Sequence, residues 1–407
     1  MNKTTQRQYA RLIVRKGVNV QKKQPVVITA EVDQYEFIKI LVDECYKAGA
    51  SEVIMNWGYQ PLTRLAVRYK TEKLLSTVYD WEIAKLKHTA DVLPAMIYIE
   101  SSDPDGLSGI NQKKYAKAMQ KIRAVKKPIT DTMENKHQWC IAAVPGKAWA
   151  KKLFPNVRQS VAVEMLWDAI LETSRAKGDA IANWDSHNAD LKSRCDYLNA
   201  LNLKKLHYKS ENGTDLTVGL LKNVKFHAGA DDTISGVTYN PNIPSEEVFT
   251  SPDKNTAEGV VVSTKPLSYQ GQIIDNFKIW FEKGKAVKVF AEKNQSLLEE
   301  MIKTDECACM LGECALVPYD SPIRNSGILF YNTLFDENAA CHLALGAGFN
   351  ECLDGFENMT LEECCEYGIN DSLIHVDFMM GSEDLDIVGI DGSGKEIQIF
   401  KNGNWAF

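Results

Sequence analysis

His375 and Asp377 lie two residues apart in the apolar stretch "SLIHVDFMMGSEDLDI" (372–387), the densest chemical signal in the chain. Side chains at i and i+2 of a strand leave by the same face, so imidazole and carboxylate project together. A carboxylate in apolar surroundings is costly unless it is paired, and a cation is a natural partner. Alone, the pair reads as an ordinary His–Asp hydrogen bond. Three further segments change that balance. "SEEVFTSP" (245–252) places Glu246 and Glu247 before an extended Val-Phe-Thr. "LGECALVPYD" (311–320) places Glu313 between a glycine and an apolar run, and "FDENAACHLALG" (335–346) adds Asp336, Glu337 and His342. Each carboxylate borders apolar sequence, whereas most acidic residues here stand in solvated surroundings.

The set has a charge logic. Three glutamates and one aspartate carry four negative charges, which two divalent cations would neutralise. Mixed carboxylate and imidazole donors suit zinc, cobalt or manganese. Two such ions roughly 3.5–4 Å apart polarise a carbonyl and generate a hydroxide between them, which is hydrolytic chemistry. Other chemistries lack their signatures. There is no H-E-x-x-H and no G-x-S-x-G, and no G-x-G-x-x-G follows the first strand. "GSGK" (392–395) lacks phosphate-loop spacing and reads as a hairpin turn. The C-x-C-x4-C spacing of Cys307, Cys309 and Cys314 matches no common cluster motif. These thiols, with Cys341 and those of "ECCEYG" (363–368), read as small buried hydrophobes. His88, His137, His187, His207 and His227 stand without carboxylates at ligand spacing.

Positioning such a set takes strands. The first part of the chain alternates strand and helix. "PVVITA" (25–30) precedes "QYEFIKILVDECYKAGA" (34–50), in which Phe37, Leu41 and Cys45 recur every four residues and Gly49 stops the helix. "SEVIMNW" (51–57), "VLPAMIYIES" (92–101) and "QWCIAAVPG" (138–146) follow as strands. That order predicts a doubly wound, mostly parallel α/β sheet covered on both faces, over residues 1–200. Beyond it, "KKLHYKSENGTDLTVGL" (204–220), "FEKGKAVKVFAEK" (281–293) and "DGSGKEIQIFKNGNW" (391–405) carry hairpin punctuation. Residues 201–407 are therefore expected to form an α+β domain rich in antiparallel strands that carries the metal site.

A net charge of −7 argues against a nucleic-acid partner. The basic stretch "KKYAKAMQKIRAVKK" (113–127) alternates charge with apolar residues at helical spacing, as a solvated helix face does. The N-terminus lacks the pattern of a signal peptide and no run approaches a membrane span. A cytoplasmic location with ten free thiols is the expectation.

In order and spacing, "NIPSEEVFTSP", "LGECALVPYDSPI", "GILFYNTLFDENAACHLALG" and "LIHVDFMMGSEDLDI" resemble the M29 family of metalloaminopeptidases, of the aminopeptidase T or aminopeptidase S type. The resemblance extends over essentially the whole chain, with the motifs confined to its second half. It implies a two-metal centre in a cytosolic homodimer that releases N-terminal residues from peptides. The implied ligands are Glu247, Glu313, Glu337, His342, His375 and Asp377, with Glu313 as the bridging carboxylate or the handler of the attacking water's proton. Glu246 is then exposed or outside the ligand set. One position departs from the family pattern. Where a tyrosine assisting catalysis is usual, seven residues after His342, this chain has Phe349. A phenyl ring offers an oxyanion no hydrogen bond; Tyr331 and Tyr367 are the nearest tyrosines in sequence. Arg324 also stands where a small polar residue is more usual, either as a surface charge or as a cation for a substrate carboxylate or carbonyl. Two other readings follow. Ring-cleaving dihydroxypyridine dioxygenases look similar to this superfamily, and His375, Asp377 and one glutamate would make a mononuclear iron triad. Phe349 alone favours a catalytically weak peptide-binding relative.

Overall fold

Val26, Val27, Ile28 and Ala30 form the near-continuous apolar run of a strand covered on both faces. In the computed structural model, which describes residues 1–270 and 272–407, Val26–Glu31 pairs in parallel with Val53–Gly58 on one side and Ala95–Glu100 on the other. Trp139–Ala143 and the short strand Asn242–Ile243 extend this parallel sheet. The helix Tyr35–Ala48 turns Phe37, Ile38, Leu41 and Cys45 inward and ends where Gly49 adopts φ 109°, the left-handed conformation a helix cap needs. The helix Gln112–Thr130 buries only Ala118, so its lysines are the solvated face the sequence implied.

The second half is antiparallel. Leu203–Lys209 and Asp215–Gly219 flank the Glu-Asn-Gly turn as a hairpin. With Glu258–Val262, Leu267–Tyr269, Gln272–Glu282, Lys285–Lys293, Asp386–Asp391, Glu396–Lys401 and Asn404–Trp405 they build a nine-stranded sheet among the described residues. "GSGK" is a hairpin turn there, its Asp391 carboxylate accepting the N–H groups of Ser393 and Lys395. A second, five-stranded sheet runs in the order His375–Met379, His342–Gly346, Leu311–Leu316, Val248–Thr250, His227–Ala228. Its back face contributes Val248, Cys314, Leu316, Leu343, Leu345 and Phe378 to the core shared with the larger sheet. Phe378 meets Phe277 of that sheet at a ring separation of 5.8 Å. Each such fully buried apolar side chain contributes about 1.5–3 kcal/mol relative to exposure, so this back face anchors the strands whose front face carries the polar groups.

The chain forms two compact units, Met1–His187 with Ala230–Ser245, and Asn188–Gly229 with Glu246–Phe407. The expected single division at residue 200 therefore needs correction. Residues 230–245 return to the first unit because Asn242–Ile243 pairs with Trp139–Ala143, and a two-residue strand is too short to show a period. No described helix is long and apolar enough to cross a membrane.

Candidate metal centre

Register decides what the front face of the five-stranded sheet presents. Ala315 lies opposite both Phe249 and His342, and His342 lies opposite Met379. In the next row Ala344 lies between Glu313 and Asp377. Directly paired residues share a face, so Glu313, His342, His375 and Asp377 all point the same way. Glu247, two positions before Phe249, follows the same parity. Ala315 stands beside His342 inside the first row, and Ala344 is the interior position of the second. Ala344, fully buried, is the floor of a hollow ringed by carboxylates and imidazoles.

Two overlapping groups result. Glu247, Glu313 and His342 offer ligand atoms within 4.8 Å of one another, and so do Glu313, His375 and Asp377. Glu313 belongs to both. His342 Nε2 lies 3.2 Å from Glu247 Oε2, and His375 Nε2 lies 3.2 Å from Glu313 Oε2 and 3.1 Å from Asp377 Oδ1. Both imidazoles are oriented from behind. His342 Nδ1 is 3.3 Å from Ala340 O and His375 Nδ1 is 2.7 Å from Ala347 O. A carbonyl only accepts, so each Nδ1 carries the proton and each Nε2 is turned toward the carboxylates, the arrangement of a metal-ligating histidine. Among the described residues the buried Asp377 Oδ1 completes no hydrogen bond; it stands 3.1 Å from His375 Nε2 as an ion pair. That oxygen, with ligand atoms of His375 and Glu313 all within 4.8 Å of one another, belongs to a donor set that fits a divalent cation.

The electrostatics agree. Burial, reinforced by Asp377 and Glu247, raises the Glu313 carboxyl to about 7 against the pull of His375. Burial and the charges of Asp377 and Glu247 also hold Glu337 well above the ordinary range. Burial alone would lower His342, but Glu247, Glu313 and Asp377 outweigh it and raise the imidazole to about 10. His375 is raised in the same way by Asp377 and Glu313. Burial works against charge on Asp377 as well, yet His375 and His342 overcome it and lower that carboxyl to about 2. A pocket that draws protons onto so many groups exchanges them readily for a cation.

Five of the six residues singled out in the sequence are thus within the two groups. The sixth, Glu337, lies outside both. It faces them closely enough to feel Asp377, Glu247, His342 and Glu313. Asn338, fully buried, holds that corner by accepting the Glu246 N–H at 2.6 Å and donating to Leu334 O at 3.0 Å. Glu246 itself is buried rather than exposed.

The comparisons with known proteins cover the chain end to end. The family model described as "Thermophilic metalloprotease (M29)" matches residues 2–405. The chain belongs to the M29 family. Aminopeptidase AmpS of Bacillus subtilis is 41% identical over 402 residues, 98% of either sequence. The structure of wild-type AmpT from Thermus thermophilus superposes with a TM-score of 0.91 at 36% identity, covering 100% of both chains. The structure of 2,5-dihydroxypyridine dioxygenase from Pseudomonas putida KT2440 gives a TM-score of 0.54 at 11% identity over 99% of this chain and 96% of that one, a likeness of fold alone. This M29 chain is therefore a metal-dependent hydrolase of the exopeptidase class, and the dioxygenase reading is not favoured.

What the sequence did not show in this M29 site is its backbone. Gly346 has φ 105°, and a Cβ there would come within 2.0 Å of Ile374 O. A Cβ on Gly312 would come within 2.2 Å of Ala347 O, the carbonyl that orients His375. Phe349 lies beside the candidate ligands, its ring 5.0 Å from that of His375 and 5.3 Å from Phe249. Its N–H donates to Ser251 Oγ at 2.8 Å. Tyr367 is largely exposed at the end of the helix Leu361–Glu366. Arg324 is no isolated surface charge; its guanidinium stacks 4.1 Å over the Tyr319 ring. Cys314 and Cys341 pack behind the sheet as alternation requires. Cys307, Cys309 and Cys365 are half-buried instead, because they lie in turns and at a helix end, outside any strand. His207 does meet a carboxylate, Asp215, at 2.8 Å across its hairpin, a pairing that spacing within one strand could not reveal.

Proposed function

We propose that this M29 enzyme releases N-terminal residues from short peptides, with Glu247, Glu313, Glu337, His342, His375 and Asp377 holding two divalent cations, whether zinc, cobalt or manganese. The observation that carries the reading is that Glu313 is common to two ligand groups, the position of a carboxylate shared by two ions. Divalent cations held by these residues would supply Lewis-acid polarisation of the scissile carbonyl and a water of lowered pKa.

The chain's own residues do the rest. Ala340 O and Ala347 O fix the imidazole tautomers, so His342 and His375 present Nε2 without reorganisation. Glu313, common to both ligand groups, either bridges the two ions or takes the proton of the attacking water and returns it to the leaving amine. Ala315 and Ala344 leave room above the sheet for the reacting groups. Phe349 contributes an apolar wall and no hydrogen bond to the oxyanion. A cytoplasmic homodimer belongs to the same reading, supported by the family resemblance and checked by light scattering.

The test is to count metals by mass spectrometry in the purified protein and to assay aminoacyl p-nitroanilides and dipeptides with added cobalt, zinc or manganese. The expected result is two ions per chain and release of the first residue. Two bound ions with no hydrolysis of any peptide would sink the proposal.

A further inference from the structure

Lys265 and Arg324 are out of character with the acidic ground beside them. Lys265 follows Thr264, whose N–H donates to Met379 O at 2.9 Å, and Met379 lies opposite His342 in the sheet. Arg324 belongs to the short helix Pro322–Asn325, which packs against the turn Glu337–Ala339. Both cations therefore border the ligand strands. They are near enough to feel each other: burial lowers the Lys265 ammonium and Arg324 adds to it, with Asp336 opposing.

Asp336 is the counter-charge, but its oxygens already accept the N–H groups of Phe330 at 2.9 Å and Asn332 at 3.1 Å. Among the described residues the half-buried Lys265 makes no ion pair or side-chain hydrogen bond. Arg324 donates one guanidinium N–H to Tyr319 Oη and stacks on that ring, which fixes its plane, while among the described residues its other guanidinium N–H groups meet no acceptor. Four carboxylates and two divalent cations would make the centre itself neutral. Two cations against one carboxylate leave an excess positive charge at its border. A planar guanidinium with free donors beside a desolvated ammonium is chemistry that recognises a carboxylate.

We infer that Lys265 and Arg324 form a subsite for the C-terminal carboxylate of the substrate, which selects short peptides with a free C-terminus. The inference rests on the aminopeptidase reading and adds the substrate class to it. Arg324 grips the carboxylate through paired N–H groups, and Lys265 supplies the second charge.

The experiment compares kcat/KM for a dipeptide with that for its C-terminal amide, using the metal-loaded enzyme. The wild type is expected to favour the free acid by about tenfold or more, the scale of one charge-assisted hydrogen bond, mainly through KM. Lys265→Met and Arg324→Met are each expected to bring the ratio toward one, and Lys265→Arg to restore most of it. Thermal melts identify a variant that loses its fold, and the other variant is then decisive. A wild-type ratio at or below one overturns the subsite while leaving the peptidase reading intact, as does a ratio that both methionine variants preserve. Failure of the loaded wild type to cleave acid or amide overturns both.

Discussion

The two five-stranded sheets of this protein put polar groups in opposite places. In the parallel sheet the strand interiors carry no charged side chain, and carboxylates stand at strand ends, Glu31 closing Val26–Glu31 and Glu100 closing Ala95–Glu100. In the antiparallel sheet carboxylates and imidazoles occupy the middle of one face, while the other face is as apolar as any core. A parallel sheet covered on both sides has no face to spare, so charge is confined to its ends. An antiparallel sheet with one face committed to packing leaves the other for chemistry, and it brings together residues as distant in sequence as Glu247 and Asp377.

If that contrast is right, the front face of the antiparallel sheet is intolerant of changes that barely alter stability. Glu313→Gln should cause the largest loss, because it removes the residue common to both groups. Turnover is expected to fall by more than the roughly 10–100-fold typical of losing a metal's outer hydrogen-bond partner. Metal analysis should show substoichiometric binding, and retention of two ions with full activity would break the comparison.

Next in size is a paired experiment. Ala344→Leu fills the floor between Glu313 and Asp377. It should abolish metal uptake in a chain that still melts cooperatively, overpacking of this kind costing about 1–3 kcal/mol. Ile97→Ala, in the interior of the parallel sheet, should cost about 2–5 kcal/mol in denaturant titrations and leave metal stoichiometry unchanged. Reversal of those two outcomes would erase the distinction between the sheets.

Phe349→Tyr sharpens the picture on the chemical side. It adds a hydroxyl to a ring packed on His375, and a single oxyanion donor is worth at most on the order of 10²–10³ in turnover. An increase in kcat on aminoacyl anilides is the expected outcome. No increase would mean that another group already serves the oxyanion.

The smallest effect belongs to the strand ends. Burial raises the carboxyl of Glu100, with Glu31 adding to it. A raised carboxyl favours the folded state while protonated, and that advantage is lost as pH climbs through the folded pKa. Glu100→Gln should therefore raise the melting temperature at neutral pH, with the difference shrinking as the pH falls through the raised pKa and gone below the ordinary carboxylate range. Activity should be unaffected.

Much of this was legible in the residues because strands announce which side chains travel together. His375 and Asp377 are two apart, and their joint projection needs nothing beyond strand parity. Glu313 was legible as an acid stranded in apolar sequence. Ala344 was not, since its contribution is the side chain it lacks, and an alanine in a buried strand looks like any other. The return of residues 230–245 to the first unit was equally silent, resting on one two-residue pairing. Glu337 shows the intermediate case. Its acidity and its place beside Asn338 were visible, but its distance from the two groups is set by a turn after the short helix Thr333–Asp336, and turns carry no parity.

The carbonyl hold on the two imidazoles has a consequence for how this enzyme can vary. Every amino acid brings the same carbonyl, so exchanging the side chain of Ala340 or Ala347 leaves the tautomer of its histidine as it was. The vulnerability passes to Gly312 and Gly346, where any added atom would collide with the main chain that delivers Ala347 O and seats the His342–Gly346 strand. A randomised library selected for growth on peptides should keep these two glycines nearly invariant and accept a varied spectrum at residue 347. The memory of which nitrogen bears the proton is stored in the path of the chain.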